Sequence, residues 1–292
     1  MDGPTRPGIP IVTAVLTTYN RKELLRRALF SVYRQSKVPE EVIVVDDGSK
    51  DGTHNELSLD YPQVKWINQN NMGVSAARNA GIRNARGKWI ALLDSDDEWL
   101  PDKISAQLEY AKNKNDALAI HTGEKWIRKG NEVIPPLYLN KSDDKLFERS
   151  LHHCLICPSS ILLRREAFSQ VGLFDESLTV CEDYDFWLRL LLVTRPVLID
   201  QQLVRKHGGH PDQLSTKSWG MDRYRVQSLE KLLKNKWLTE EFKCKTIKVL
   251  IQKCNILVNG FAKRDKFDEA KKYSEKIEKY LSLSNQTGEV LP

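Results

Sequence analysis

Apolar positions along the first hundred residues switch repeatedly between two rhythms. "PIVTAVLTTYN", residues 10–20, is a β-branched apolar run with a polar end, and it reads as a buried strand. Leu24, Leu25, Ala28, Leu29 and Val32 then recur at helical spacing, with Asn20 placed to cap and Glu23 three residues on, in the order of a capping box. Residues 42–45 predict a second strand that exits into Asp46 and Asp47, with Gly48 and Gly52 as turn residues. "VKWINQ" predicts a third strand, and "NNMGVSAARNAGIRNARG" a helix opened by glycine and closed at Gly87. "KWIALLDSDDEW" predicts a fourth strand with an acidic exit, and "LPDKISAQLEYAKN" a helix with Pro101 in its first turn.

Strands alternating with crossover helices predict an α/β fold, Rossmann-like, with a mostly parallel central sheet flanked by helices. Ligands bind such sheets beyond the carboxyl ends of the strands. Both acidic clusters, Asp46 with Asp47 and residues 94–97, fall on that edge. The later pattern is less regular. Residues 116–134 alternate and predict a hairpin turning at Lys129, Gly130 and Asn131. "SSILLRREAFSQVGLFDE" predicts a strand and a short helix stopped by Gly172. "CEDYDFWLRLLL" puts Glu182, Asp183 and Asp185 in the first turn of a helix, where the helix dipole favours carboxylates. "RPVLIDQQLVRKHGGHPDQLS" predicts two short strands and a glycine-rich loop.

Beyond Trp219 the chain becomes helical. Ile247, Leu250, Ile251, Cys254, Leu257, Val258 and Phe261 form one apolar stripe, and Phe267, Ala270, Tyr273, Ile277 and Tyr280 a second. The expected organisation is a main domain over residues 1–218 with a helical hairpin over 219–292 packed on it.

Composition narrows the class. Of 292 residues, 40% are apolar, enough for a real core, and no run of apolar residues is long enough to span a membrane. The N-terminus shows neither a secretory nor a transit pattern, so a cytosolic protein is expected. Five cysteines, an odd number without framework spacing, fit that compartment. "HHCLICPSS" suggests zinc, but without a second Cys or His pair it reads instead as a partly buried strand carrying ordinary thiols. The formal net charge is +6, and residues 222–280 hold 16 Lys and Arg against 9 Asp and Glu. Two readings of this tail stay open: a solvated helix surface, or peripheral contact with an anionic membrane face or phosphorylated acceptor. No nucleic-acid partner is expected, because the tail's aromatics keep helical core spacing.

The D-x-D formed by Asp94 and Asp96 suits Mg²⁺ or Mn²⁺, which take oxygen ligands and share them with substrate phosphates. Alone it is weak evidence. "VLTTYNR", "VVDDGSKDGT", "NMGVSAARNAGI", "LLDSDD" and "CEDYDFWLRL", in that order over residues 10–215, together resemble the family 2 glycosyltransferases of GT-A fold. The resemblance implies a nucleotide-sugar donor, commonly UDP-linked, and a divalent metal, Mn²⁺ or Mg²⁺. It implies donor contacts from Thr17, Tyr19, Asp46, Asp47, Arg78 and Asp94, and a metal held by Asp96 with a late histidine, His210 in preference to His207. Asp183 takes the place of the catalytic base. The Gln-x-x-Arg-Trp motif and membrane helices of processive synthases are missing, which favours single-sugar transfer to a carbohydrate, glycolipid or protein acceptor, as in bacterial-type polysaccharide or glycolipid assembly.

Such a transfer proceeds by direct displacement with inversion. Positive charge is wanted at the leaving diphosphate, and a base at the acceptor hydroxyl. Three other classes compete. A phosphoacceptor receiver would carry its acidic pair after the first strand, where this chain has "TTYN". A nucleotidyltransferase would carry a glycine-rich phosphate loop near the N-terminus. A catalytically inactive nucleotide-sugar-binding protein acting through the helical tail is separated from an enzyme only by activity.

Overall fold

β1, Val12–Thr18, is buried at all seven positions, so it presents no face to solvent and belongs in the middle of a sheet covered on both sides. The computed structural model describes residues 11–114, 116–141, 145–210 and 219–286. After β1 come α1 (Lys22–Tyr33), β2 (Glu41–Asp46), α2 (Thr53–Asp60), β3 (Lys65–Asn68), α3 (Val74–Asn84), β4 (Trp89–Asp94), β5 (Glu98–Trp99) and α4 (Lys103–Asn113). Then follow β6 (Ala119–Arg128), β7 (Asn131–Val133), α5 (Leu146–His152), β8 (Leu162–Arg164), α6 (Arg165–Val171), α7 (Glu182–Leu191) and β9 (Val197–Gly208). The chain closes with α8 (Asp222–Leu232), α9 (Glu240–Ala262) and α10 (Phe267–Gln286).

These elements fall into two compact units. One comprises Met1–Ser142, Ile156–Thr179 and Thr194–Gly209, the other Asp143–Leu155, Val180–Val193 and His210–Pro292. The expected boundary at residue 218 lies outside the described residues.

The first unit holds the sheet, in the order β3-β2-β1-β4-β8-β6-β9-β5, with β7 paired to β6. The half formed by β3, β2, β1 and β4 is parallel throughout. Beyond it, β8 runs antiparallel to both β4 and β6, while β6 and β9 are parallel. Val12, Ala14 and Leu16 share a buried cluster with Leu25 and Leu29 of α1 and Ile104 of α4. Val15, on the opposite face, meets α3 so closely that a Cβ built on Gly81 would lie 2.3 Å from Val15 Cγ1. Glycine is what lets that helix lie on the strand.

The second unit is helical. Leu151, Tyr184, Leu188, Leu229, Leu250, Cys254 and Phe261 bury together, and α9 and α10 pack on each other as the predicted hairpin. Thr239 caps α9 by accepting the Phe242 N–H. Among the described residues no helix is long and apolar enough to cross a membrane.

Local expectations fail in five places, one of them Pro101, which precedes α4 rather than sitting in its first turn. Asn20 does not cap α1: it sits at φ +52°, and its Oδ1 accepts the Lys50 N–H at 2.7 Å. Asp51 Oδ2 instead takes the Lys22 N–H at 3.0 Å, so the cap comes from the loop after β2. Gly87 does not close α3, which ends at Asn84; it lies where a Cβ would meet Thr13 N at 2.5 Å. Residues 158–160 form a 3₁₀ turn rather than strand. Finally, β9 is one strand, not two, with its irregularity taken up opposite Thr122, Gly123 and Glu124.

Candidate functional site

Parallel pairing sets the exits of β2, β1 and β4 side by side. Thr18 lies opposite Asp46, and Thr17 opposite Asp94. Thr17 is buried near the end of β1, and Tyr19, one residue past the strand, is exposed. Asp46 Oδ1 accepts the Ser49 N–H at 2.8 Å and so shapes the turn at Gly48, whose φ is +84°. Asp47 accepts three bonds: Gln69 Nε2 at 2.7 Å and Met72 N at 2.9 Å on Oδ1, and Gly73 N at 2.8 Å on Oδ2. That carboxylate ties the exit of β2 to the start of α3.

The strand geometry that would align Asp94 with Asp96 stops at Asp94, where a turn begins, closed by the Asp97 N–H donating to Asp94 O at 3.0 Å. Exposure alternates through it: Asp94 and Asp96 are half-buried, Ser95 and Asp97 buried. Each half-buried acid faces a guanidinium. Arg78 Nη2 donates to Asp94 Oδ1 at 2.6 Å, and Arg78 itself is buried, its guanidinium 5.3 Å from the Phe174 ring centre. Arg21 Nη1 donates to Asp96 Oδ2 at 3.0 Å, and Arg27 Nη2 reaches Asp96 O at 2.5 Å.

Asp97 does different work. It accepts Ser159 Oγ at 2.6 Å and the His207 N–H at 2.9 Å, joining the acidic turn to β9 and to the 3₁₀ turn before β8. Burial first, then the charges of Asp96 and Asp94, push its carboxyl well above the usual range. His207 Nε2 meets Glu98 Oε1 at 2.7 Å, and that bond, with Arg27 and Arg205 nearby, outweighs partial burial and holds Glu98 below the usual range. His210 follows β9 just past Gly209, which has φ +83°, and belongs to the helical unit.

In that unit Asp183 is the second residue of α7, whose first residue follows Cys181 at φ +62°. Asp183 Oδ1 accepts the Tyr184 N–H at 2.7 Å, and Cys154 Sγ donates to Oδ2 at 3.2 Å. Asp185 is fully engaged, by Arg189 Nε at 2.9 Å and Lys231 Nζ at 2.8 Å. Among the described residues no group of three or more His, Cys, Asp or Glu is arranged around a metal position. Asp94 and Asp96 offer an oxygen-only pair. That set matches a hard divalent cation that completes its shell with substrate phosphates and water.

Thr17, Asp46, Asp47, Arg78, Asp94 and Asp96 therefore gather on one edge of the sheet. Arg21, Arg27, Asp97, Glu98 and Ser159 join them without any motif having pointed to their roles. Arg21 stands directly after the "TTYN" stretch, where only a helix cap was expected.

The glycosyl transferase family 2 model matches residues 13–172. An uncharacterized glycosyltransferase of Rickettsia felis is 31% identical over 228 residues, which is 74% of this chain. The chain spans 37% of that relative's length. Among solved structures, S. aureus TarS 1–349 in complex with UDP-GlcNAc superposes with a TM-score of 0.60 at 16% identity, covering 96% of this chain and 93% of that one. Mannosyltransferase PcManGT from Pyrobaculum calidifontis, in complex with GDP-Man and Mn²⁺, gives a TM-score of 0.60 at 17% identity, covering 97% and 77%. At these identities the solved structures speak for the fold, which is GT-A. With the family model matching more than half its length and the relative's identity extending across 74% of it, the chain belongs to glycosyl transferase family 2.

Proposed function

We propose that the protein transfers a single sugar from a nucleotide-diphosphate donor to an acceptor hydroxyl, with inversion at the anomeric carbon. The observation that carries this reading is the Asp94–Asp96 turn at the exit of β4, aligned with the exits of β1 and β2 and lined by buried or half-buried arginines. Thr17, Tyr19, Asp46 and Asp47 are assigned to the nucleoside. Asp46, already shaped by Ser49, would accept a hydrogen bond from base or ribose.

Arg78 is assigned to the donor, with Asp94 holding it in place. UDP is the favoured nucleotide; the relatives of like fold were solved with UDP-GlcNAc and with GDP-Man. Mn²⁺ or Mg²⁺ would be held by Asp96, with Asp94 beside it and His210 as a further ligand. When bound, such a cation supplies positive charge at the departing diphosphate.

Asp183 is assigned as the base that accepts the acceptor's hydroxyl proton. A positioned base contributes typically about a hundred- to ten-thousand-fold in rate. Its Oδ1 accepts the Tyr184 N–H and its Oδ2 the Cys154 thiol, and the two bonds hold the carboxylate in one orientation. The excess of Lys and Arg in the tail favours an acceptor presented at an anionic membrane face.

The test uses two substitutions. Asp96→Ala is expected to abolish manganese-dependent binding of the donor in calorimetry, while Asp183→Asn keeps that binding and loses transfer. Equal manganese-dependent binding by both variants would remove Asp96 from the metal. Transfer by Asp183→Asn at the normal rate would place the base elsewhere. Proton NMR of the product reads the stereochemistry, and a retained anomer would overturn inversion.

A further inference from the structure

A second polar cluster stands on the same edge of the sheet, unused by the roles above. Ala91 of β4 lies opposite Leu162 of β8, which lies opposite Ile120 of β6. Both outer strands run antiparallel to β8, so they run the same way. Asp94 and Glu124 therefore come at nearly the same level, at the carboxyl edge.

The Glu124 side chain is 3% exposed. It is ion-paired to Lys141 and accepts the Trp126 indole N–H at 3.1 Å. Lys206 of β9 lies 5.1 Å from the Trp126 ring centre, and the charges of Lys141 and then Lys206 outweigh burial and hold Glu124 below the usual carboxylate range. His121, three residues before Glu124 on β6, is fully buried, and both its ring nitrogens have no partner among the described residues. It lies close enough to Lys141 and Glu124 to feel both charges.

Folding alone gives little reason for this arrangement. A buried Glu–Lys pair is commonly no better than apolar residues of the same volume. An unpartnered buried imidazole costs stability outright. Sugar hydroxyls, by contrast, need both acceptors and donors. Glu124 supplies the first, Lys141 and Lys206 the second, and the Trp126 N–H fixes where Glu124 points.

Sheet order adds direction. Reading along the carboxyl edge, β2 and β1 carry the residues assigned to the nucleoside, β4 those assigned to the diphosphate, and β6 comes after β8. A nucleotide sugar laid in that order brings its sugar to β6.

Resting on the donor reading above, we propose that Glu124, Lys141 and Lys206, with Trp126 as the positioning residue, form the subsite for the donor's sugar and select it by its hydroxyls. The test is calorimetry on the full chain with Mn²⁺, using UDP and GDP against UDP-glucose, UDP-GlcNAc and GDP-mannose. Glu124→Gln should bind the nucleoside diphosphate as wild type does and lose about tenfold or more for the sugar nucleotide, as for a charge-assisted hydrogen bond. Lys141→Met should do the same, and it carries the test if Glu124→Gln does not fold. Variants that weaken both ligand classes alike, or neither, overturn the subsite alone. A wild-type protein that binds no nucleotide of either class overturns the donor reading, and the subsite with it.

Discussion

Lys103, in the first turn of α4, has no exposed surface. Its Nζ donates to Gln107 Oε1 at 2.9 Å and lies 4.4 Å from the Trp99 ring centre. Burial brings this amine down from 10.5 to about 7. Between those two values the unfolded chain holds a proton that the folded chain has lost, so stability rises with pH across that window. Below pH 7 the charged amine is buried and its cost is full. Lys103→Met should therefore raise the urea midpoint most at pH 6 and progressively less toward pH 10; an advantage independent of pH would mean the charge is not what costs. A similar division by burial sorts the three aspartates and the glutamate of the β4 exit. Asp94 and Asp96 face guanidiniums, Asp97 braces the turn, and Glu98 pairs with His207.

At the scale of elements, the closest approach is α3 on β1. Because Gly81 leaves no room for a Cβ beside Val15, Gly81→Ala should cost about 1–3 kcal/mol, read as a lowered thermal midpoint with unchanged far-UV circular dichroism. An unshifted midpoint would mean that the helix lifts off the strand freely. β1, β2, β4 and α1 were legible in the chain because each is an uninterrupted apolar run or a single helical stripe.

What stayed hidden has physical causes. Asp200, Gln201 and Gln202 look like a turn, yet they are exposed positions of one strand, at its own irregularity opposite Thr122 and Gly123 of β6. Asn20 has the sequence of a cap, but the loop at Ser49 and Lys50 takes its hydrogen bonds. The strand-end acids could be read as a site because parallel strands bring their exits together whatever lies between. The pairs Arg21–Asp96, Ser159–Asp97 and His207–Glu98 could not, because they join residues 75, 62 and 109 positions apart through sheet register.

At the scale of the molecule, the sheet unit and the helical unit each bury their own apolar cluster. The tail helices are part of the second cluster, not an ornament on the surface. Lys231 of α8 holds Asp185 of α7, and Lys253 of α9 is buried against Asp222 and the His152 carbonyl. Leu250, fully buried in α9, is packed in the same cluster as Tyr184 and Leu188 of α7. Leu250→Ala should cost about 2–5 kcal/mol by urea denaturation, as deletions of buried leucine do. A loss below about 1 kcal/mol would show that the tail contributes little to that core.

The guanidiniums of Arg21 and Arg78 give the acidic turn at the end of β4 counter-ions drawn from the chain itself. Repulsion among the carboxylates is relieved before anything is added from solution. Dialysis against a chelator should therefore return protein with an unchanged melting profile in scanning calorimetry. A collapse of that profile would mean the arginines do not suffice. If they do, the cation proposed for this turn is an exchangeable one, and manganese, magnesium or a spectroscopically useful cobalt should each load into the same folded preparation.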